Sequence, residues 1–263
     1  MPQALDAWRR ALSCAARRRI RSLQDLLQRR RFANERSRED LPCLILEHRL
    51  PLFRNFPGID RRLFENKRRN LELAAAQLDG VILAPGKVFS LWRRVGPPTA
   101  RRGYLEGLVL DRGRPARGVG GGLCQMANAL FWLALHSELQ VLERHHHSVD
   151  LFPDDHRKVP FGTGATIVYN FKDLRFRNGS PRRYQFRVKV EERELVASLR
   201  CDAAPPHAFQ IREEGHRFLE AEDGLYRRNS IVRETRDPSG QLVSVRPLFE
   251  NFSKCQYTLQ EAL

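Results

Sequence analysis

The sequence predicts an α+β protein in three zones: a basic helical N-terminal part, a mixed α/β centre with a buried helix after a glycine-rich loop, and an all-β C-terminal third. Three observations carry this. Trp8, Leu12, Ala15, Ala16, Ile20, Leu23 and Leu27 recur at helical spacing, with arginines between them. The segment Leu123 to His136 is almost wholly apolar and follows Gly120, Gly121 and Gly122. Beyond Tyr184 the chain reads as alternating strands and turns. The expected divisions are a basic amphipathic arm over 1–40, a core domain over 41–178, and a β-rich region over 179–263 packed on that core.

In chain order, Cys43-Leu-Ile-Leu46 predicts a short strand among the prolines at 42, 51 and 57. Asp60 is placed to cap a helix running through Leu63, Leu71 and Leu78, which Asp79-Gly80 ends. Val81–Leu83 and Val88–Trp92 read as strands around a Pro85-Gly86 turn. Tyr104–Leu110 and a turn at Asp111–Gly113 lead to the glycine loop. After the apolar helix, Leu139–Glu143 and Ala165–Phe171 read as strands. Asn178-Gly179 is a hairpin-type turn between Leu174–Arg177 and Tyr184–Val190. The Tyr184–Val190 strand alternates, which predicts one buried face. Short strands follow, with turns at Glu213–Gly215, Asp223-Gly224 and Pro238–Gly240.

A chain of 263 residues with a formal charge of +15, most of it arginine, is drawn to polyanions. Nucleic acid is not the expected partner, because charge alone does not choose among polyanions and basic bacterial proteins are often arginine-heavy without binding DNA. Residues 1–31 suit either attachment to an anionic membrane surface or packing of a narrow apolar stripe on the domain, and the second reading is favoured. No apolar run approaches the ~20 residues that span a bilayer. No secretory leader is expected from Met1 to Leu12. The five cysteines, at 14, 43, 124, 201 and 255, are scattered and odd in number. They point to free thiols in a reducing cytoplasm, with a membrane-peripheral position open to the basic arm.

The chemistry-bearing residues gather around Cys124. A thiol in the first turn of a helix is favoured as thiolate by unpaired N–H groups and the helix dipole. With His147 as base, Cys124 has the makings of a papain-like nucleophile for acyl transfer or hydrolysis. The N–H groups of Cys124 and Gln125 would face an oxyanion, the Gln125 side chain or Asn128 could add a donor, and Asp150 or Asp154 could orient the imidazole. His145 is a competing base. The bland reading is that Cys124 packs as a small hydrophobe. A zinc site at Glu143–His147 is not assigned, because only His145 and His147 share a side of an extended segment. Gly120, Gly121 and Gly122 can be read as an anion cradle, with Arg112, Arg114 and Arg117 nearby, or as a turn demanded by packing. The candidate binding residues are Gly120, Gly121, Gly122, Arg117, His145, Ser148 and Thr163. No cofactor is expected.

Several blocks stand in an order that resembles a known family. They are Leu78-Asp-Gly-Val-Ile82, Pro85-Gly-Lys-Val-Phe-Ser90, Gly103-Tyr-Leu-Glu-Gly107, Gly120-Gly-Gly-Leu-Cys-Gln125, Glu143-Arg144 with His147-Ser148, and Pro160-Phe-Gly-Thr-Gly-Ala-Thr166. In these the chain is similar to the VanW family, named for an accessory protein of some vancomycin-resistance clusters. The resemblance covers about residues 45 to 178 and implies a bacterial protein tied to cell-wall modification or upkeep under glycopeptide challenge. It implies no particular activity. Longer family members carry an Asp shortly before the Ala-Thr of the last block, where this chain has Gly164. The two functions carried forward are a cysteine-dependent acyl transferase or hydrolase acting on a peptide or cell-wall precursor, and a non-catalytic module that binds such an anionic ligand.

Overall fold

The computed structural model describes residues 15–16, 19–26, 31–53, 60–111, 114–146, 149–150, 153 and 159–259. The architecture is α+β. Strand β1 (Cys43–Pro51) precedes helix α1 (Arg61–Leu78), and β2 (Val81–Leu83) and β3 (Val88–Ser90) lead into the short helix α2 (Leu91–Val95). A hairpin of β4 (Glu106–Asp111) and β5 (Arg114–Val119) delivers the chain to α3 (Cys124–Leu135). Strands β6 (Leu139–Glu143), β7 (Val149–Asp150), β8 (Arg175–Asn178), β9 (Tyr184–Val190) and β10 (Glu194–Cys201) follow. Three long strands close the chain: β11 (Ala208–Ala221), β12 (Gly224–Arg236) and β13 (Leu242–Cys255).

One sheet has the order β1-β10-β9-β2, a second β3-β8-β6, and a third β11-β12-β13-β7. The core lies where α1 and α3 meet the first two sheets. Phe89 of β3 stacks on Phe176 of β8 at 5.6 Å and tilts against Phe186 of β9 at 5.0 Å, joining the two sheets. Helix α1 starts where the sequence places it: the Asp60 carboxylate accepts from the Arg62 N–H. Its inward face, Leu63, Asn70, Leu71, Ala74, Ala75 and Leu78, is buried. Helix α3 buries eight of its twelve residues, as a helix apolar on nearly every side must.

Local sequence misleads at four places. Val88–Trp92 is not one strand: Ser90 Oγ accepts from the Arg93 N–H and caps α2, so the strand stops at Ser90. Ala165–Phe171 is not a strand either. Its Ala165 N–H donates to the Asn128 side chain (2.7 Å) and its Thr166 N–H to the His145 carbonyl (2.7 Å), leaving only a Val168–Lys172 bridge. Leu174–Arg177 and Tyr184–Val190 do not form a hairpin. The Asn178 side chain accepts from Ser180 N–H and donates to Leu83 and Arg182 carbonyls, and the chain crosses from one sheet to another there. Glu213–Gly215 is a bulge inside β11 rather than a turn, with the register shifting between Glu214 and Arg217.

The alternation of β9 is also incomplete. Gln185, on the face opposite Tyr184 and Phe186, is buried because it accepts from the Leu41 N–H (2.9 Å) and donates to the Glu39 carbonyl (2.9 Å). A passing segment covers the face that would otherwise meet water. Among the described residues no helix is long and apolar enough to cross a membrane.

Residues 19–26 form a helical segment held by charge. Arg21 donates to Glu143 (2.8 Å) and to the Phe171 carbonyl (2.8 Å). Asp25, buried, accepts from Arg175 (2.9 Å). Arg175 in turn donates to Asp173, which is fully buried and also takes the Ser90 hydroxyl at 2.6 Å. Buried charges persist only when paired in this way.

Candidate functional site

The head of α3 is built by close backbone approach. A Cβ on Gly121 would lie 2.1 Å from the Gly107 carbonyl carbon of β4. Gly122 has φ +92° and rests against the Lys67 side chain. The loop's N–H groups point inward: Gly120 donates to Leu105, Gly121 to Gly118 and Gly122 to Leu108. The Gly121 carbonyl accepts from Asn70 at 2.9 Å. With all three donors engaged, the loop serves strand–helix packing, and the anion cradle expected at Gly120, Gly121 and Gly122 has no free N–H among them in this conformation.

Cys124 opens α3 and is half-buried, with its side chain packed against the core. Burial pushes the thiol up, and the Ile167 and Cys124 amides and the Lys172 ammonium only partly offset this. The shift is the reverse of the lowering expected at a helix N-terminus, with desolvation its largest cause.

Of the expected oxyanion donors, Gln125 and Asn128 are engaged elsewhere. Gln125 N–H donates to Gly122 O at 3.0 Å, and its side-chain Nε2 donates to Pro51 O at 2.9 Å, tying α3 to the end of β1. Asn128 acts as acceptor, through Oδ1, for Ala165. Cys124, Asn128 and the 165–167 segment therefore do meet around one helix end, but as a packed joint, with Gln125 tied to Pro51.

The other candidates fall apart from one another. Thr163 is buried and its hydroxyl donates to Pro160 O (2.7 Å) within a turn. Arg117 is exposed, 3.5 Å from Asp60. His145 Nε2 lies 3.0 Å from Glu143 Oε1. Asp150 is buried, 3.2 Å from Arg227 and 2.7 Å from the Tyr257 hydroxyl. His147, Ser148 and Asp154 lie outside the described residues, as do Arg112 and most of the 1–31 arm. Among the described residues no three His, Cys, Asp or Glu side chains are grouped to hold a metal ion.

A groove of about 500 Å³ opens at the far end of α3. Its floor is Phe131, Ala134 and Leu135 from α3, with Leu139 and Val141 of β6 and Leu248 and Phe249 of β13. Its rim carries three guanidiniums. Arg144 lies 4.2 Å over the Phe249 ring and 4.9 Å over Phe131, with Nε donating to Gly164 O (3.0 Å). Burial pulls Arg144 down to about 10. Arg233 of β12 and Arg246 of β13 are direct cross-strand partners. Burial, and then the Arg246 charge, push Arg233 down. Its Nε is buried and unpartnered among the described residues.

Among the described residues the only carboxylate on the rim is Glu138, already held by Arg182 (3.1 Å) and Tyr184 OH (2.8 Å). Two like charges set directly opposite on neighbouring strands repel. Sequence reasoning missed Arg144, Arg233 and Arg246 as site residues. Arg144 stands in a quoted family block, but nothing local marks Arg233 or Arg246, which reach the groove only through the β12–β13 register.

Residues 66–200 match the model of a family described as VanW like protein. The chain is 30% identical over 233 residues to the vancomycin B-type resistance protein VanW of Enterococcus faecalis, covering 88% of this chain and 85% of that one. The chain belongs to the VanW family. It is also 31% identical over 138 residues to the uncharacterized protein YoaR of Bacillus subtilis, covering 51% of this chain and 43% of that one. No solved structure matches it. The span matched by the VanW family model holds the glycine loop, Cys124 and the α3–β6 wall of the groove, whereas Arg233 and Arg246 lie beyond it.

Proposed function

We propose that this VanW-family chain is a non-catalytic binding protein for an anionic ligand with an apolar body, a peptide or cell-wall precursor end, held in the α3–β6–β12–β13 groove. The observation that carries the reading is the Arg233–Arg246 pair. It places two positive charges side by side over an apolar floor, with no carboxylate paired to either among the described residues. Guanidiniums grip carboxylate and phosphate through paired N–H donors, and a low-dielectric floor strengthens each contact. The cell-wall link is what the family resemblance implies, and the relative in Enterococcus faecalis is named for vancomycin resistance. The raised Cys124 thiol and the occupied loop amides favour binding over cysteine chemistry.

The test is calorimetric titration with a peptidoglycan stem pentapeptide bearing a free C-terminal carboxylate. Binding is expected to weaken with salt and to fall at least about tenfold in Arg246→Gln, the loss of one charge-assisted contact. Arg246 is exposed, so that variant keeps the fold. No binding by the native protein, or equal binding by the variant, overturns the reading.

A further inference from the structure

A surface helix normally turns its apolar side chains inward and its charges to water. The segment over 19–26 does the opposite. Arg21 and Asp25, one turn apart, point into the domain and are locked to Glu143 and Arg175. Ile20, Leu23 and Leu26 point outward, 54%, 56% and 74% exposed. The ion pairs fix which face is offered, so the apolar stripe is presented rather than tucked away. In sequence the stripe is bracketed by Arg17, Arg18 and Arg19 before it and Arg29, Arg30 and Arg31 after it.

We infer that this segment docks the protein flat on an anionic lipid bilayer, with Ile20, Leu23 and Leu26 entering the acyl boundary and the flanking arginines meeting lipid phosphates. The charge pattern selects that occupant. A nucleic acid would use the arginines but has no place for three aliphatic side chains. A second copy of this chain would bring together two stripes whose neighbouring sequence is strongly basic, and that like charge opposes it. An anionic membrane surface satisfies both features at once. Ile20, Leu23 and Leu26 are not among the residues that line the arginine groove, so either site can fail without the other.

The experiment is co-sedimentation of the full chain with vesicles of phosphatidylcholine alone or phosphatidylcholine mixed with phosphatidylglycerol, with sedimentation velocity alongside. Retention is expected only on phosphatidylglycerol vesicles, to be reversed by salt. The double variant Leu23→Asp, Leu26→Asp is expected to lower the partition on the order of a hundredfold. Both positions are exposed, so its urea midpoint should equal that of the native protein. Absence of binding, equal retention on both vesicles, or unchanged retention of the variant overturns the inference. So does a solution dimer that the double variant dissolves without any vesicle binding, since the stripe would then belong to a second copy.

Discussion

Replacing Gly121 by alanine should unfold the head of α3. Gly121 is not in the left-handed region, so the cost is purely steric. Its new methyl carbon would sit 2.1 Å from the Gly107 carbonyl carbon, 2.4 Å from its oxygen and 2.5 Å from its Cα. Carbon pairs are at ease near 3.5–4.0 Å, so the loop and β4 must part by more than about an ångström. Both obstacles are backbone and cannot rotate away. Separation also stretches the Gly122-to-Leu108 bond (3.1 Å) and the Asn70-to-Gly121 bond (2.9 Å). Overpacking of about 1–3 kcal/mol, plus about 1 kcal/mol for each of two hydrogen bonds, gives a loss of about 3–5 kcal/mol. Equilibrium urea unfolding should show it as a midpoint lowered by on the order of 1 M or more. Gly86→Ala is the control: its φ is +72°, but nothing lies within 4 Å of the added methyl, so only about 1–2 kcal/mol of backbone strain is expected. A Gly121→Ala protein that unfolds at the native midpoint would refute the packing argument and reopen the loop as a ligand site.

Other outcomes follow from the same geometry. Cys124 should resist iodoacetamide until the pH passes the usual thiol range near about 8.5, because burial raises it; mass spectrometry of peptides alkylated across pH checks this, and selective labelling near neutrality would contradict it. Asn128→Ala leaves the Ala165 N–H buried without its acceptor and should cost about 1–3 kcal/mol in urea unfolding. Burial works against the Glu143 carboxylate, but Arg21, the Asp173 amide and His145 outweigh it and hold it below the usual carboxylate range. Its stabilising contribution is therefore present above about pH 4.3 and lost as pH falls through the depressed value. Glu143→Gln should flatten the acid limb of a thermal-stability profile, and an unchanged limb would remove Glu143 from the account.

The parts of the fold that were readable are those set by neighbours in sequence. Asp60 before an amphipathic run marked α1, and the uninterrupted Ala- and Leu-rich stretch marked α3. The all-β C-terminal third was legible from its turns, but not the length of its strands: Glu213–Gly215 has turn composition, yet its flanks pair with one partner strand, which only the β12 register decides. Ala165–Phe171 has strand composition, but Asn128 and the His145 carbonyl take its amides from across the chain. Of the N-terminal segment, the described helix at 19–26 is amphipathic, but its apolar stripe is exposed rather than packed on the domain as the sequence favours. Which side faces the domain was set by Glu143 and Arg175, more than a hundred residues away. The groove was invisible for the same reason, since Arg233 and Arg246 become neighbours only through strand pairing.

The most direct measurement compares pentapeptide affinity in Cys124→Ala and Arg246→Gln, each against the native protein. Native affinity is expected without the sulfur, and at least about tenfold weaker binding without the guanidinium. Binding or turnover abolished by removing the sulfur, with Arg246→Gln indistinguishable from native, would contradict it.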